Sequence, residues 1–184
     1  MPQGPRLKRK HIWRNNQFET LFAQVTERCA VDLTVPTTAP SPGPPVDWSA
    51  VPPALDPRNE TCALHKPGRA DRKRAQLASL VSHALGVLRA GDVCVDFGAG
   101  SGHLGLLLAY LRPDCRVILV ERKEYSVLQA RARIATVALD NCEIFQGALD
   151  DFAASGKAFT CGVCLHACGP LTDAALRLCL AHGA

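Results

Sequence analysis

The chain has 184 residues, of which 47% are hydrophobic, and a formal net charge of +4 at neutral pH. This length allows one buried core plus an appendage. No run approaches the roughly 18 consecutive apolar residues of a membrane helix, and the basic N-terminus has no apolar signal segment. Composition therefore argues against a membrane-spanning or secreted protein. It predicts a cytoplasmic or nuclear protein whose cysteines are reduced.

Residues 1–74 carry the excess positive charge, with 12 Lys and Arg against 7 Asp and Glu. Residues 1–34 are predicted to be a basic arm with a helix over the amphipathic stretch 18–25. Its basic side chains are Arg6, Lys8, Arg9, Lys10 and Arg14. Because basic termini commonly meet nucleic acid, a nucleic acid is an expected partner, and a solvated, frayed terminus is the alternative. Residues 35–68 are rich in proline and are predicted to be a stiff linker.

From residue 69 the pattern alternates between helix and strand up to residue 184. The periodicity of apolar residues predicts helix 70–88, strand 92–97, helix 102–112, strand 115–121, helix 124–138, strand 142–147, helix 148–155, strand 159–166 and helix 172–182. Strands that alternate with helices of this length form a parallel sheet through right-handed crossovers. The predicted fold class is therefore α/β, with four parallel strands and flanking helices.

The first predicted strand ends in a loop with glycine at alternate positions, residues 96–102, which we call the glycine loop. Gly98, Gly100 and Gly102 allow sharp turns and close approach of the backbone to a ligand. The loop therefore predicts the binding of a small molecule.

Two ligand classes compete for this loop. Residues 100–105 satisfy G-x-G-x-x-G, and Glu121 follows about 20 residues later at the end of the next predicted strand, as in dinucleotide sites. However, the carboxylate of Asp96 would repel a pyrophosphate. S-adenosyl-L-methionine carries an ammonium and a sulfonium, so Asp96 favours that ligand over a dinucleotide.

The glycine loop together with Glu121 resembles the first two motifs of the Rossmann-like S-adenosylmethionine-dependent methyltransferases. Residues 165–173, Leu-His-Ala-Cys-Gly-Pro-Leu-Thr-Asp, are similar to the H-x-C-G-x-x-T-D segment of a narrower family. That family includes the CHHC-finger tRNA 2′-O-methyltransferases and the methyltransferase-like domain of glutathione S-transferase C-terminal domain-containing proteins. Residues 46–53 and 69–77 most resemble the second of these. The resemblance covers roughly residues 46–184.

The resemblance implies a Rossmann-like methyltransferase sheet with S-adenosyl-L-methionine as cofactor. It also implies further strands and a Pro-Cys-Cys segment beyond the helix that ends near Ala184. Residues 69–184 are accordingly expected to be the N-terminal part of such a domain, in a truncated chain. Its fourth strand would be an unpaired edge, which predicts low stability of the chain alone.

Individual site residues follow from their positions at strand ends. Glu121 is predicted to bind ribose hydroxyls. Asp150 or Asp151, after the third strand, is predicted to contact adenine, with helix capping as the alternative. His166 is predicted to lie at the substrate side of the cofactor crevice as an orienting group or general base. The alternative is a hydrogen-bonded structural histidine.

The cysteines near His166 do not predict a metal site. Cys161 and Cys164 are three residues apart in a predicted strand and point to opposite faces. Cys164, His166 and Cys168 share a face, but three ligands at one strand end do not readily enclose a tetrahedral ion.

The sequence therefore favours an S-adenosylmethionine-dependent methyltransferase, with RNA as the expected acceptor and the acceptor atom left open. The main alternative is a non-catalytic module that binds the same cofactor for interaction or regulation. A dinucleotide oxidoreductase is disfavoured by Asp96.

Overall fold

The computed structural model describes residues 43–59 and 68–184, together with residues 17, 20, 23 and 24. These last four residues are helical. The basic side chains predicted for the arm, and the linker portions 35–42 and 60–67, lie outside the described residues.

The domain is a parallel sheet with helices on both faces. Its elements are α1 (Arg69–Val87), β1 (Val93–Phe97), α2 (His103–Leu111), β2 (Arg116–Glu121), α3 (Glu124–Val137), β3 (Cys142–Gln146), α4 (Leu149–Ala154), β4 (Cys161–Val163) and α5 (Pro170–His182). The strand order is β3-β2-β1-β4, and every neighbouring pair is parallel. The predicted α/β class is confirmed. Among the described helices, none is both long and apolar enough to span a membrane.

Alternation along the strands divides the core into two layers. In β1, Cys94 packs in the layer under α1 and α2, whereas Val95 and Phe97 pack in the opposite layer. The second layer is aromatic: the ring of Phe97 makes edge-to-face contacts with Phe152 and Phe159 at centroid distances of 6.2 and 5.7 Å. Side chains of successive residues in a strand point to opposite faces of the sheet, so Asp96 lies on the face covered by α1 and α2. This acid is therefore buried in an apolar layer.

Helix α2 approaches the sheet closely because Gly105 has no side chain. A Cβ at this position would overlap Leu119 and would come within 3.1 Å of the Cβ of Asp96. The last glycine of the G-x-G-x-x-G pattern therefore brings the α2 backbone against the end of β1.

Residues 43–59 differ from the predicted linker, because they pack in the same unit as the sheet. Val51 and Leu55 are buried against α1 and α2, and the backbone of Ala50 accepts a hydrogen bond from the hydroxyl of Tyr110 at 3.0 Å. The guanidinium of Arg74 pairs with Asp56 as well. Proline density alone predicted a linker here, whereas the two buried apolar side chains, four residues apart, anchor this segment.

Strand β4 is shorter than the predicted strand 159–166. It pairs with β1 only over Cys161–Val163 and forms the edge of the described sheet. The backbone leaves the extended region before His166, whose φ is 66°. Cys164, His166 and Cys168 therefore lie in the loop between β4 and α5, so the prediction that they share one strand face was wrong.

Candidate functional site

A cavity of about 320 Å³ opens at the carboxyl ends of β1 and β2, where ligands bind in open α/β sheets. Four chain segments form its walls: α1, the glycine loop with the start of α2, the end of β2 with the start of α3, and the loop after β4. The residues that line it include Lys73, Asp96, Gly98, Gly100, His103, Glu121, Lys123, Leu165 and His166. The structure therefore brings most of the predicted site residues to one place.

The glycine loop adopts a conformation that requires its three glycines. Gly98, Gly100 and Gly102 have φ values of 70°, 58° and 82°, in the left-handed region that residues with a Cβ rarely adopt. A Cβ on Gly102 would also lie 2.9 Å from Leu106. A Cβ on Gly100 would meet nothing within 4 Å, since this glycine faces the cavity. Gly102 thus lets the glycine loop pack against Leu106, and Gly100 forms part of the cavity surface.

The amide groups of the glycine loop are bonded within the chain. The N–H groups of Gly98 and Ala99 donate to the carbonyl oxygen of Val120, at 2.9 and 3.1 Å. The Gly100 N–H donates to Oε2 of Glu121 at 2.8 Å, and Oε1 of Glu121 accepts from the Lys123 N–H at 2.8 Å. A pyrophosphate would have to compete with the Glu121 carboxylate for the Gly100 N–H, and with the Val120 carbonyl oxygen for the N–H groups of Gly98 and Ala99. The loop geometry therefore disfavours a dinucleotide and directs the Glu121 carboxylate to the cavity.

Asp96 is a buried acid at the base of this cavity. Its side chain is 2% exposed, and Oδ2 accepts a hydrogen bond from the Gly105 N–H at 2.9 Å. Burial raises the pKa of Asp96 to about 7, although the Gly105 N–H and the positive charge of Lys73 lower it. Near neutral pH, a cationic ligand beside Asp96 would favour the ionised form.

Lys73 and His103 also line the cavity, and the sequence analysis did not assign them to the site. Burial lowers the pKa of Lys73, while Asp96 raises it. Burial lowers the pKa of His103 to about 3, with smaller contributions from Arg133 and Lys73, so its imidazole is neutral. One signal was present in the sequence: Lys73 lies four residues before the buried Leu77, on the apolar face of α1.

His166 is exposed and lines the cavity from the loop after β4. Its positive φ is uncommon for a residue other than glycine, and such conformations concentrate at functional sites. Cys168, two residues further, is exposed and does not line the cavity. The structure thus places His166, but not Cys168, in the lining of the cavity.

Asp150 does not lie with the other predicted residues. It lines a different cavity, of about 510 Å³, between α4 and α5. The neighbouring Asp151 accepts a hydrogen bond from the Ala148 N–H at 2.8 Å and so caps the start of α4. The capping alternative therefore holds for Asp151, and the start of α4 directs Asp150 towards α5 instead of the glycine loop.

Within residues 43–59 and 68–184, no three His, Cys, Asp or Glu side chains come together as a group that could hold a metal ion.

Comparison with known proteins identifies the family. A family described as a methyltransferase domain matches residues 72–184. The chain belongs to this family. The match begins in α1 and includes the glycine loop, Glu121 and His166, so all of the cavity lies within the methyltransferase domain.

Similar curated proteins are considerably longer than this methyltransferase domain. The glutathione S-transferase C-terminal domain-containing protein of Xenopus laevis is 40% identical over 141 residues, which is 77% of this chain and 22% of that protein. Its Drosophila melanogaster homolog is 39% identical over 134 residues, 73% of this chain and 22% of that protein. This chain thus spans about a fifth of the length of these relatives.

Solved structures share the fold of the domain. A mutant of MtNAS in complex with S-adenosylmethionine superposes with a TM-score of 0.51 and 20% sequence identity. The superposition covers 71% of this chain and 51% of that one. The similarity shows a common Rossmann-like α/β architecture.

Proposed function

We propose that this methyltransferase domain binds S-adenosyl-L-methionine and transfers its methyl group to RNA. The observation that carries the proposal is the placement of two carboxylates in one cavity: Asp96 at the start of the glycine loop, and Glu121 at the end of β2. This arrangement accepts a cation and hydroxyl groups and opposes a phosphate.

The residues of the cavity fit this cofactor in three respects. The open side of Gly100 leaves room for a ligand against the backbone. Glu121 is held by the Gly100 and Lys123 N–H groups, and its carboxylate has further acceptor capacity for the two ribose hydroxyls. Asp96 supplies a negative charge for the cationic amino-acid portion. The MtNAS structure, which contains S-adenosylmethionine on the same fold, supports this fit.

His166 is proposed to act on the molecule that accepts the methyl group. When bound, S-adenosylmethionine supplies an electrophilic methyl group on a sulfonium. A hydroxyl or amine of the acceptor loses its proton as its oxygen or nitrogen bonds to the methyl carbon, and the carbon–sulfur bond breaks. The exposed imidazole of His166, at the mouth of the cavity, would orient the acceptor and take that proton.

An RNA acceptor is supported by the distribution of positive charge. Lys123 lines the cavity, and the neighbouring Arg122 is exposed. The basic residues of 1–34 add to this charge, although their positions lie outside the described residues. Lys and Arg side chains near a cavity mouth attract a polyanion, and the attraction weakens as salt rises.

Binding and transfer test the proposal in two steps. Isothermal titration calorimetry should detect binding of S-adenosylhomocysteine and none of NAD. The protein should then transfer labelled methyl from S-adenosylmethionine to total RNA, and His166→Ala should lower this transfer. Preferred binding of NAD would refute the cofactor assignment. Binding without transfer to RNA, protein or small molecules of a cell lysate would refute the catalytic role and support a non-catalytic binding module.

A further inference from the structure

Arg133 connects α3 to the glycine loop and to the first residue of α2. Nη1 of its guanidinium donates to the carbonyl oxygen of Ser101 at 2.8 Å and to the Ser101 hydroxyl at 3.3 Å. Nη2 lies 3.3 Å from Nε2 of His103. Ser101 and His103 both line the cavity at the glycine loop, whereas Arg133 is not part of the wall of that cavity. Arg133 therefore contacts the cavity through these two residues.

The contact with Arg133 decides which nitrogen of His103 carries the proton. A guanidinium only donates hydrogen bonds, so Nε2 of His103 must accept. Burial, with smaller contributions from the charges of Arg133 and Lys73, lowers the pKa of His103 to about 3, so the ring is neutral and holds one proton. That proton is therefore on Nδ1. The opposite tautomer would place two donors against each other.

The fixed tautomer determines the hydrogen bonding of a buried atom. Nδ1 of His103 is buried and has no hydrogen-bond partner in the part of the chain that the structure describes. A buried N–H without a partner costs free energy, so the ring would not hold this tautomer without the contact to Arg133. Because His103 lines the cavity, Arg133 determines that its ring donates at Nδ1 and does not accept there.

The same arginine restrains the backbone of the glycine loop. Ser101 stands between Gly100 and Gly102, whose φ values are 58° and 82°. Glycine loses more conformational freedom on ordering than any other residue, so a loop of this composition depends on contacts that hold its carbonyl groups in place. The planar guanidinium presents its donors in a fixed fork. Arg133 therefore sets the position of the Ser101 carbonyl and of the His103 ring together.

We propose that Arg133 is a positioning residue of the methyltransferase domain, which holds the glycine loop at the Ser101 carbonyl and keeps His103 in the Nδ1–H tautomer. Arg133 acts through groups that line the cavity and does not touch the ligand itself. The inference rests on the proposed function only for the identity of the ligand, because the tautomer and the loop contact belong to the free protein.

Nitrogen NMR of the ligand-free protein with isotope-labelled histidine tests the tautomer. The His103 signals, assigned by their loss in His103→Leu, should show a protonated Nδ1 and an unprotonated Nε2 at neutral pH. In Arg133→Met, which removes the donors and the charge, signals of a protonated Nε2 should appear. Arg133→Lys keeps the charge without the planar fork and should retain part of the wild-type population. Hydrogen exchange of the Gly102 N–H, which donates to the Ala99 carbonyl at 2.9 Å, should be faster in Arg133→Met.

Calorimetry with S-adenosylhomocysteine measures the effect on binding. The dissociation constant of Arg133→Met should be about 5- to 30-fold higher than that of the wild type. In the His103→Leu background, Arg133→Met should raise the dissociation constant by a smaller factor, because part of its effect passes through His103. Arg131→Met is the matched control: Arg131 is exposed on the same helix and does not line the cavity, so tautomer, exchange and affinity should be unchanged. Thermal unfolding of each variant confirms that the protein studied is folded.

The outcomes separate this inference from the proposed function. A protonated Nε2 in the wild type overturns the inference, and this spectrum requires no variant. Weaker binding by Arg133→Met with an unchanged His103 tautomer also overturns it, because Arg133 would then support only the fold. If the wild type does not bind S-adenosylhomocysteine, the proposed function fails, and the NMR and exchange comparisons of the free proteins still decide the role of Arg133.

Discussion

Asp96→Asn should stabilise the free protein at high pH while weakening its ligand binding. The Asp96 carboxyl has a pKa of about 7 in the folded protein, against an ordinary value of 3.8. Between these two pH values the folded state holds a proton that the unfolded state has lost. Unfolding therefore releases a proton, and stability falls as pH rises from about 4 to about 7.

The magnitude follows from the size of this shift. At about 1.36 kcal/mol for each pKa unit, full ionisation of Asp96 costs the folded protein about 4 kcal/mol. Asparagine is close in size and cannot ionise, and its Oδ1 can still accept the hydrogen bond from the Gly105 N–H. The free energy of unfolding of Asp96→Asn minus that of the wild type should therefore rise by about 4 kcal/mol between pH 4 and pH 8.

Urea denaturation at pH 4 and pH 8, followed by circular dichroism, measures this difference. Asp92→Asn is a matched control of opposite sign. The Arg89 N–H and the Thr160 hydroxyl donate to Asp92 and lower its pKa, so its contribution to stability is present above its ordinary pKa and is lost on acidification. The free energy of unfolding of Asp92→Asn should therefore be lower than that of the wild type at pH 8. Calorimetry with S-adenosylhomocysteine should show weaker binding by Asp96→Asn and, for the wild type, tighter binding at pH 8 than at pH 6.

Two results would refute the reasoning about Asp96. The first is a difference in unfolding free energy between Asp96→Asn and wild type that stays constant between pH 4 and pH 8. The second is equal affinity of both proteins for S-adenosylhomocysteine at pH 8.

Four other predictions concern single positions. Gly100→Val should abolish S-adenosylhomocysteine binding in calorimetry, because its side chain would enter the cavity; unchanged affinity in a folded variant would exclude the site. Glu121→Gln should cost roughly 1–3 kcal/mol of binding free energy, and a loss of only a few tenths would place the ribose elsewhere. His166→Ala should lower methyl transfer and leave cofactor affinity nearly intact; equal loss of both would indicate a structural role. Leu55→Ala should lower the free energy of unfolding by about 2–5 kcal/mol in urea denaturation. An unchanged free energy of unfolding would mean that residues 43–59 are a linker and not part of the folded domain.

The sequence by itself determined the sheet, the glycine loop and the two acids beside it. Strand and helix periodicities are local, so the order of elements from α1 to α5 follows from the spacing of apolar residues. The glycine loop has a local cause as well, since its positive φ values require glycine. Asp96 and Glu121 end neighbouring parallel strands, and such ends meet at one edge of a sheet.

Only the tertiary structure decided which distant side chains join that edge. Lys73 reaches the cavity because α1 packs against α2, and no local pattern states where a helix docks. Asp150 is separated from the glycine loop because α4 turns it towards α5. Residues 43–59 pack against α1 and α2 through Val51 and Leu55, although their composition is that of a linker. Each of these outcomes depends on burial against residues far away in the chain, which local propensity does not encode.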